Sequence, residues 1–180
     1  MRKIKLYIAV SIDGYIAQSD GGVSWLDEVP NPNQADYGYF DFYKNIDTTL
    51  MGNATYRQIL SFDIPFPYAD KVNYVFSRTA QEDNQDVKFV RKNVADFVSE
   101  LKSQEGGDIW LIGGGQLNAA FLEDGLIDEM IVSIMPIVLG SGLPLFAVQD
   151  VKNMFALKKV VSFQSGVVQT TYEKIENPTS

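Results

Sequence analysis

Twice in this chain an apolar run stops on glycine and a helix-compatible pattern restarts at once: LMGNATYRQIL at residues 50–60 and DIWLIGGGQLNAAFLE at 108–123. A strand that runs straight into a helix cannot turn back on itself as a hairpin. It belongs to a strand–helix–strand unit, whose natural home is a parallel sheet covered on its faces by helices.

The rest of the chain keeps to that grammar for two-thirds of its length. KIKLYIAV (3–10) reads as a strand feeding an Asp-Gly turn loop. NPNQADYGYFDFYKN (31–45) reads as a helix, with Asn31 as cap, Pro32 at its first position and Gln34 placed for a capping box. TTLMG (48–52) is a strand and NATYRQIL (53–60) a helix capped by Asn53. KVNYVFS (71–77) and VKFV (87–90) are strands, followed by the helix NVADFVSELKSQE (93–105), where Val94, Phe97, Val98 and Leu101 share one face. DIWLI (108–112) and QLNAAFLE (116–123) repeat the strand–helix step. DEMIVSIMPIVL (128–139), FALKKVVSF (155–163) and VVQTTYEKI (167–175) are consecutive strands, the last two joined by a tight turn at residues 164–166. The expectation is one α/β domain over residues 1–180, with a mostly parallel sheet and an antiparallel C-terminal hairpin.

Composition narrows the chemistry. The 180 residues contain no cysteine and no histidine. Disulfides, thiolate nucleophiles, serine–histidine triads and zinc sites are thereby excluded, and no metal is expected. The absence of cysteine suits a reducing cytoplasm. A net charge of −8 with no basic run speaks against nucleic acid. The apolar runs fall short of the roughly 20 residues that span a bilayer, so no membrane segment is expected.

At both glycine-ended strand tips, free backbone N–H groups and the positive end of a helix dipole face one crevice, where an anion sits well. Gly113, Gly114 and Gly115 would let the main chain approach a diphosphate closely. Glycine would equally serve a plain sharp turn. The run also lacks the Rossmann fingerprint, since Asn118 stands where the third glycine belongs, and it lacks a P-loop lysine. Two such tips in one sheet favour a dinucleotide, because ligands of open α/β sheets bind at the carboxyl edge of the strands.

Taken in order, YIAVSIDGYIA, GGVSWLDE, DYGYFDFY, TTLMGNATYRQIL, DIWLIGGGQLNAAFLE and IVSIMPIVLGSGLPLF resemble the stand-alone proteins related to the reductase domain of the riboflavin-synthesis protein and to dihydrofolate reductase. The resemblance covers nearly the whole chain. It implies a dihydrofolate-reductase-like three-layer α/β/α sandwich with NADPH lying across the sheet edge. Ile112 to Gly115, Gln116 and Leu117 correspond to the diphosphate turn, in which relatives often carry a cis Gly-Gly bond. Gly52, Asn53 and Thr55 form the opposite wall, and Ala9, Ile16 and Ala17 pack the nicotinamide. Ser77 and Arg78 fall where the adenosine ribose and its 2′-phosphate are recognised, and a guanidinium suits phosphate. Asn53 stands where relatives commonly carry arginine, so NADH is not excluded.

On the substrate side, Asp36 matches the acid by which dihydrofolate reductases protonate or orient the pterin. Helical spacing would set it with Phe40 and Tyr43 in an aromatic pocket, beside Tyr37, where desolvation would raise its pKa. The alternative is an early-helix acid favoured by the helix dipole. Asp13 would hold a substrate polar group or merely form an Asp-Gly turn. Trp25 would lie over the active site or act as packing. Ser133 would bond substrate or Asp36. Lys71 replaces the arginine that grips the folate tail; lysine lacks the planar fork for a carboxylate but would tolerate a phosphate.

The resemblance thus implies an NADPH-dependent reductase like 5-amino-6-(5-phosphoribosylamino)uracil reductase, acting on a small molecule and assembled as a homodimer. Dihydrofolate reduction, and a catalytically silent nucleotide-binding protein of the same fold, are the competing readings.

Overall fold

Alternating burial along β1 (Ile4–Ser11) places Ile4, Leu6 and Val10 on one face and Tyr7, Ala9 and Ser11 on the other. In the computed structural model, which describes residues 1–175, β1 lies inside an eight-stranded sheet. The remaining positions, 176–180, fall outside the described residues.

β1 is flanked by β6 (Asp108–Gly113) and β7 (Glu129–Met135), both parallel to it. β3 (Ile46–Gly52) pairs in parallel with β6 on one side and with β4 (Val72–Phe76) on the other, and β5 (Lys88–Val90) closes that edge. Beyond β7 come β10 (Val168–Lys174) and then β9 (Phe155–Ser162), both antiparallel steps, so the sheet order is β5-β4-β3-β6-β1-β7-β10-β9. The expected parallel sheet with an antiparallel hairpin is what forms.

Helices cover both faces. α3 (Val94–Lys102) and α4 (Gly115–Glu123) press Val98, Leu101, Leu117 and Phe121 onto Ile4, Leu6, Leu50, Ile109 and Leu111. On the opposite face α2 (Asn53–Leu60) sets Tyr56 and Ile59 against Met51 and Val75, and α1 (Tyr39–Tyr43) sets Phe42 against Trp110. These are the three layers of the sandwich. No helix among the described residues is long and apolar enough to cross a membrane.

Three elements differ from expectation. The helix anticipated over residues 31–45 shrinks to Tyr39–Tyr43. Asn31 instead closes a local loop, accepting from the Ala35 N–H at 2.9 Å and donating to the Ala35 carbonyl at 2.8 Å. Asparagine thus competes with the helix backbone, and Gln34 and Tyr37 take positive φ angles of 49° and 54° that no helix accommodates. Asn53 is the first residue of α2 and does not cap it; Gly52 holds that place. The strand expected through residue 139 stops at Met135, because Pro136 offers no N–H to the ladder. A small second sheet, β2 (Tyr15–Ala17) with β8 (Leu143–Pro144), has no periodicity in sequence to announce it.

Candidate active site

The carboxyl tips of β3 and β6 meet side by side. A Cβ added at Gly52 would sit 3.7 Å from the Gly113 carbonyl oxygen, and one at Gly114 would sit 3.4 Å from Thr55 Oγ1 and 3.8 Å from Ile16 Cδ1. Gly52, Thr55, Ile16 and the Gly113-Gly114 peptide, which is cis, therefore enclose one small space. Neither α2 nor α4 has a side-chain cap, whereas Asn93 caps α3 through the Ala95 N–H at 2.8 Å. Two uncapped helix starts at adjacent strand tips leave N–H donors facing the same crevice, which is what a diphosphate requires.

The three glycines of that turn do different things. Gly113 has φ +116°, which L side chains rarely adopt, and a Cβ at Gly115 would collide with the Pro144 carbonyl oxygen. Gly115 also accepts from the Ala147 N–H at 3.0 Å, so the glycine run fastens the β8 segment over the start of α4. Asn118, fully buried, completes the fastening by donating to the Leu145 carbonyl at 2.9 Å. Sequence reading saw Asn118 only as a missing glycine. Leu117 points into the core and Ile112 packs beside Tyr56 and Trp110, so only their main chain faces the crevice.

Next to these tips, at the end of β4, stands a polar cluster. Gln81 Nε2 donates to Asn53 Oδ1 at 3.1 Å and to Ser77 Oγ at 3.3 Å. The Ser77 hydroxyl donates to the Thr79 carbonyl at 2.9 Å. Arg78 is exposed and reaches across to Gln116 Oε1 at 3.2 Å, placing a guanidinium over the α4 N-terminus. Gln81 was not anticipated: it bridges Ser77, four residues away, to Asn53, 28 residues away.

β2 brings Ile16 beside the glycine turn and pairs Ala17 with Leu143 of β8, and Ala9 lies on the same sheet face as Ser133, its partner in register. Asp13 holds this region together. One oxygen accepts from Ser11 Oγ at 2.7 Å and from the Leu139 N–H at 3.1 Å, and the other from the Gly140 N–H at 2.7 Å. The Ser11 hydroxyl, followed by those two amides, holds the Asp13 carboxyl below its usual range. Its oxygens tie the loop together, as a turn residue's would.

Asp36 is likewise held by the backbone. It is exposed, and its two oxygens accept from the Gly38 N–H at 3.0 Å and the Phe40 N–H at 3.1 Å. These amides lower its pKa, the opposite of the desolvated donor expected. The aromatic pocket does not close over it, since Phe40 is 73% exposed. Tyr37 turns its carbonyl inward instead, accepting from Tyr7 Oη at 3.0 Å and Gln169 Nε2 at 2.8 Å. Gln169 also donates to Ser133 Oγ at 3.0 Å, so the buried Ser133 is partnered by Gln169 in place of Asp36. Burial pushes the Tyr7 phenol up to about 12, so it remains a proton-bearing donor.

Lys71 lies over the Tyr43 ring, 4.1 Å from its centroid, with its ammonium 3.1 Å from Asp70 Oδ2. Trp25 is 1% exposed within a cluster containing Ala9, Tyr37 and Met135, and its indole N–H is buried without a partner. Packing is its visible role.

The chain and its fold resemble known proteins. The chain matches the RibD C-terminal domain family over residues 2–169. It is 40% identical over 167 residues to the protein YwjB of Bacillus subtilis strain 168, covering 92% of this chain and 95% of that one. A protein of Shewanella sp. PV-4 ascribed to riboflavin biosynthesis superposes with a TM-score of 0.88 at 34% identity, over 97% of this chain and 99% of that one. Dihydrofolate reductase of Enterococcus faecalis, solved with NADP(H), shares the fold at 16% identity with a TM-score of 0.69, 97% of each chain being covered. With a sheet of this order and a glycine turn at this edge, the chain belongs to the RibD C-terminal domain family.

Proposed function

We propose that this protein is an NADPH-dependent reductase that delivers hydride to a small heterocyclic substrate of the ribosylamino-pyrimidine type. One observation carries the reading: the Gly52 and Gly113–Gly115 strand tips converge, each beneath an uncapped helix start, with Thr55 and Ile16 closing over them. Family membership, with its reductase character, and the NADP(H)-bound dihydrofolate reductase of the same fold support it.

The donor set fits the coenzyme. Amides at the starts of α2 and α4 would hold the diphosphate, Arg78 would leave Gln116 for the 2′-phosphate, and Ser77 with Gln81 would meet the ribose. Bound NADPH would supply the hydride. The protein's share is to exclude water and fix the substrate carbon against the nicotinamide, which lowers a barrier by several kcal/mol or more, roughly the scale of well-oriented intramolecular reactions. Ile16 and Ala17 supply the apolar wall, and the Tyr7–Tyr37–Gln169–Ser133 network supplies fixed dipoles on the substrate side. Asp36 shapes the start of α1 in this reading, and the proton that completes the reduction comes from solvent or substrate. The assembly is a homodimer, and light scattering at micromolar concentration giving one 20.1 kDa chain would contradict that part.

A thermal-shift titration with NADPH and NADH tests the coenzyme, since a ligand of the native state must raise the midpoint. NADPH oxidation with 5-amino-6-(5-phosphoribosylamino)uracil, its unphosphorylated nucleoside and dihydrofolate then tests the substrate type. Turnover of dihydrofolate alone would replace the pyrimidine reading; coenzyme binding with no oxidation of any of them would leave a silent nucleotide-binding protein.

A further inference from the structure

Ala9, Ser133 and Gln169 lie side by side on the adjacent strands β1, β7 and β10, in one register row on the sheet face that carries Tyr7. Further toward the carboxyl edge on that face come Ser11 and Met135. Met135 joins Trp25 and Val167 in a buried apolar cluster, against which Ala9 and Tyr37 pack. The row thus sets one methyl group, one hydroxyl and one carboxamide beside apolar surface, and a few fixed polar groups on an apolar wall are the usual make-up of a small-molecule site.

Hydrogen bonding fixes the polarity of that row. Gln169 Nε2 donates to the Tyr37 carbonyl at 2.8 Å and to Ser133 Oγ at 3.0 Å. A carbonyl only accepts, so the Gln169 amide has one orientation, with both N–H groups spent and Oε1 left over. Among the described residues nothing donates to that oxygen, and it is not one of the enclosed polar atoms, so it is open to a ligand. Ser133 is its complement. Its hydroxyl accepts from Gln169, so its own proton must go elsewhere, and no described residue accepts it. Tyr7 also donates to the Tyr37 carbonyl, at 3.0 Å, and steadies the anchor of the glutamine. The carboxylate that could compete, Asp36, is exposed and has its oxygens on the Gly38 and Phe40 amides.

Resting on the reductase reading above, we infer that Gln169 is a specificity-determining residue that selects a heterocycle with a lactam edge: the ring N–H donates to Gln169 Oε1, and the adjacent carbonyl accepts from the Ser133 hydroxyl. Both protein groups are neutral, and both are held in place before the substrate arrives. A ring that lacks the N–H leaves Oε1 without a donor once water is displaced, which costs more than the hydrogen bond itself gains.

The test uses the full chain, with NADPH binding measured first by thermal shift. 5-Amino-6-(ribosylamino)uracil and its N3-methyl analogue, which keeps both carbonyls and loses the N–H between them, are then each titrated calorimetrically into protein saturated with NADPH. The expected result is tighter binding of the unmethylated compound, by about tenfold or more. In Gln169→Met, a variant of similar volume that must still show the NADPH shift, that ratio contracts several-fold. In Ser133→Ala both compounds weaken and the ratio stays, because both keep the carbonyl. Equal affinities in the parent protein, an unchanged ratio in Gln169→Met, unchanged affinities in Ser133→Ala, or binding of neither compound to the NADPH-loaded protein overturns the role of Gln169 and leaves the coenzyme reading standing. Failure of NADPH to shift the midpoint of the parent protein overturns the proposed function itself.

Discussion

Asp13, readable from sequence as a substrate contact or a turn residue, ties distant backbone segments together. Its carboxylate bridges Ser11 to the Leu139 and Gly140 amides, segments more than 120 positions apart in sequence. Because its folded pKa is lowered, the contribution to stability is complete above the unfolded value near 3.9 and is lost as pH falls through the folded value. Thermal midpoints of Asp13→Asn and the parent should therefore be separated at pH 6 and converge below about pH 4; a constant gap would contradict this. Gly115→Ala drives a Cβ into the Pro144 carbonyl, and a midpoint loss of roughly 2–10 °C is expected from overpacking of about 1–3 kcal/mol. Arg78→Ala should weaken NADPH about 10- to 100-fold, the scale of a lost charge-assisted contact, and leave NADH nearly unchanged. Gly113 and Arg78 were legible from type and position alone. Asn118 and Gln169 were not, because their partners lie 27 or more residues away.

Elements with a complete period were readable in sequence. The face formed by Val94, Phe97, Val98 and Leu101 in α3 packs as its spacing demands, and β1, β3 and β6 appear where apolar runs end in turn chemistry. α1 was misread because a proline and a capping pair, though sound signals, compete with local asparagine loops and a left-handed Gly38. β2 and β8 hold three and two residues, too few for any pattern, and the β8 segment lies against the start of α4. Asn118 fixes that segment, so Asn118→Ala should cost about 1–3 kcal/mol through the unpaired Leu145 carbonyl, measured by urea unfolding. The same variant should loosen NADPH, because the β8 segment lies against the start of α4; unchanged NADPH affinity would detach that segment from the site.

At the scale of the molecule, strand order turns two separate glycine turns into one crevice. β6 inserts between β3 and β1, so tips more than 60 residues apart in sequence become neighbours. That adjacency could be anticipated only as grammar; the sheet order makes it geometry. Charge works at this scale too: a chain of net charge −8 sets an exposed arginine, Arg78, over the start of α4. The most direct measurement is a crystal structure of the protein grown with NADPH. The account predicts the diphosphate against the amides at the starts of α2 and α4, with Arg78 moved from Gln116 to the 2′-phosphate. Coenzyme bound away from Gly52 and Gly113–Gly115, or a crevice left empty at saturating NADPH, would contradict it.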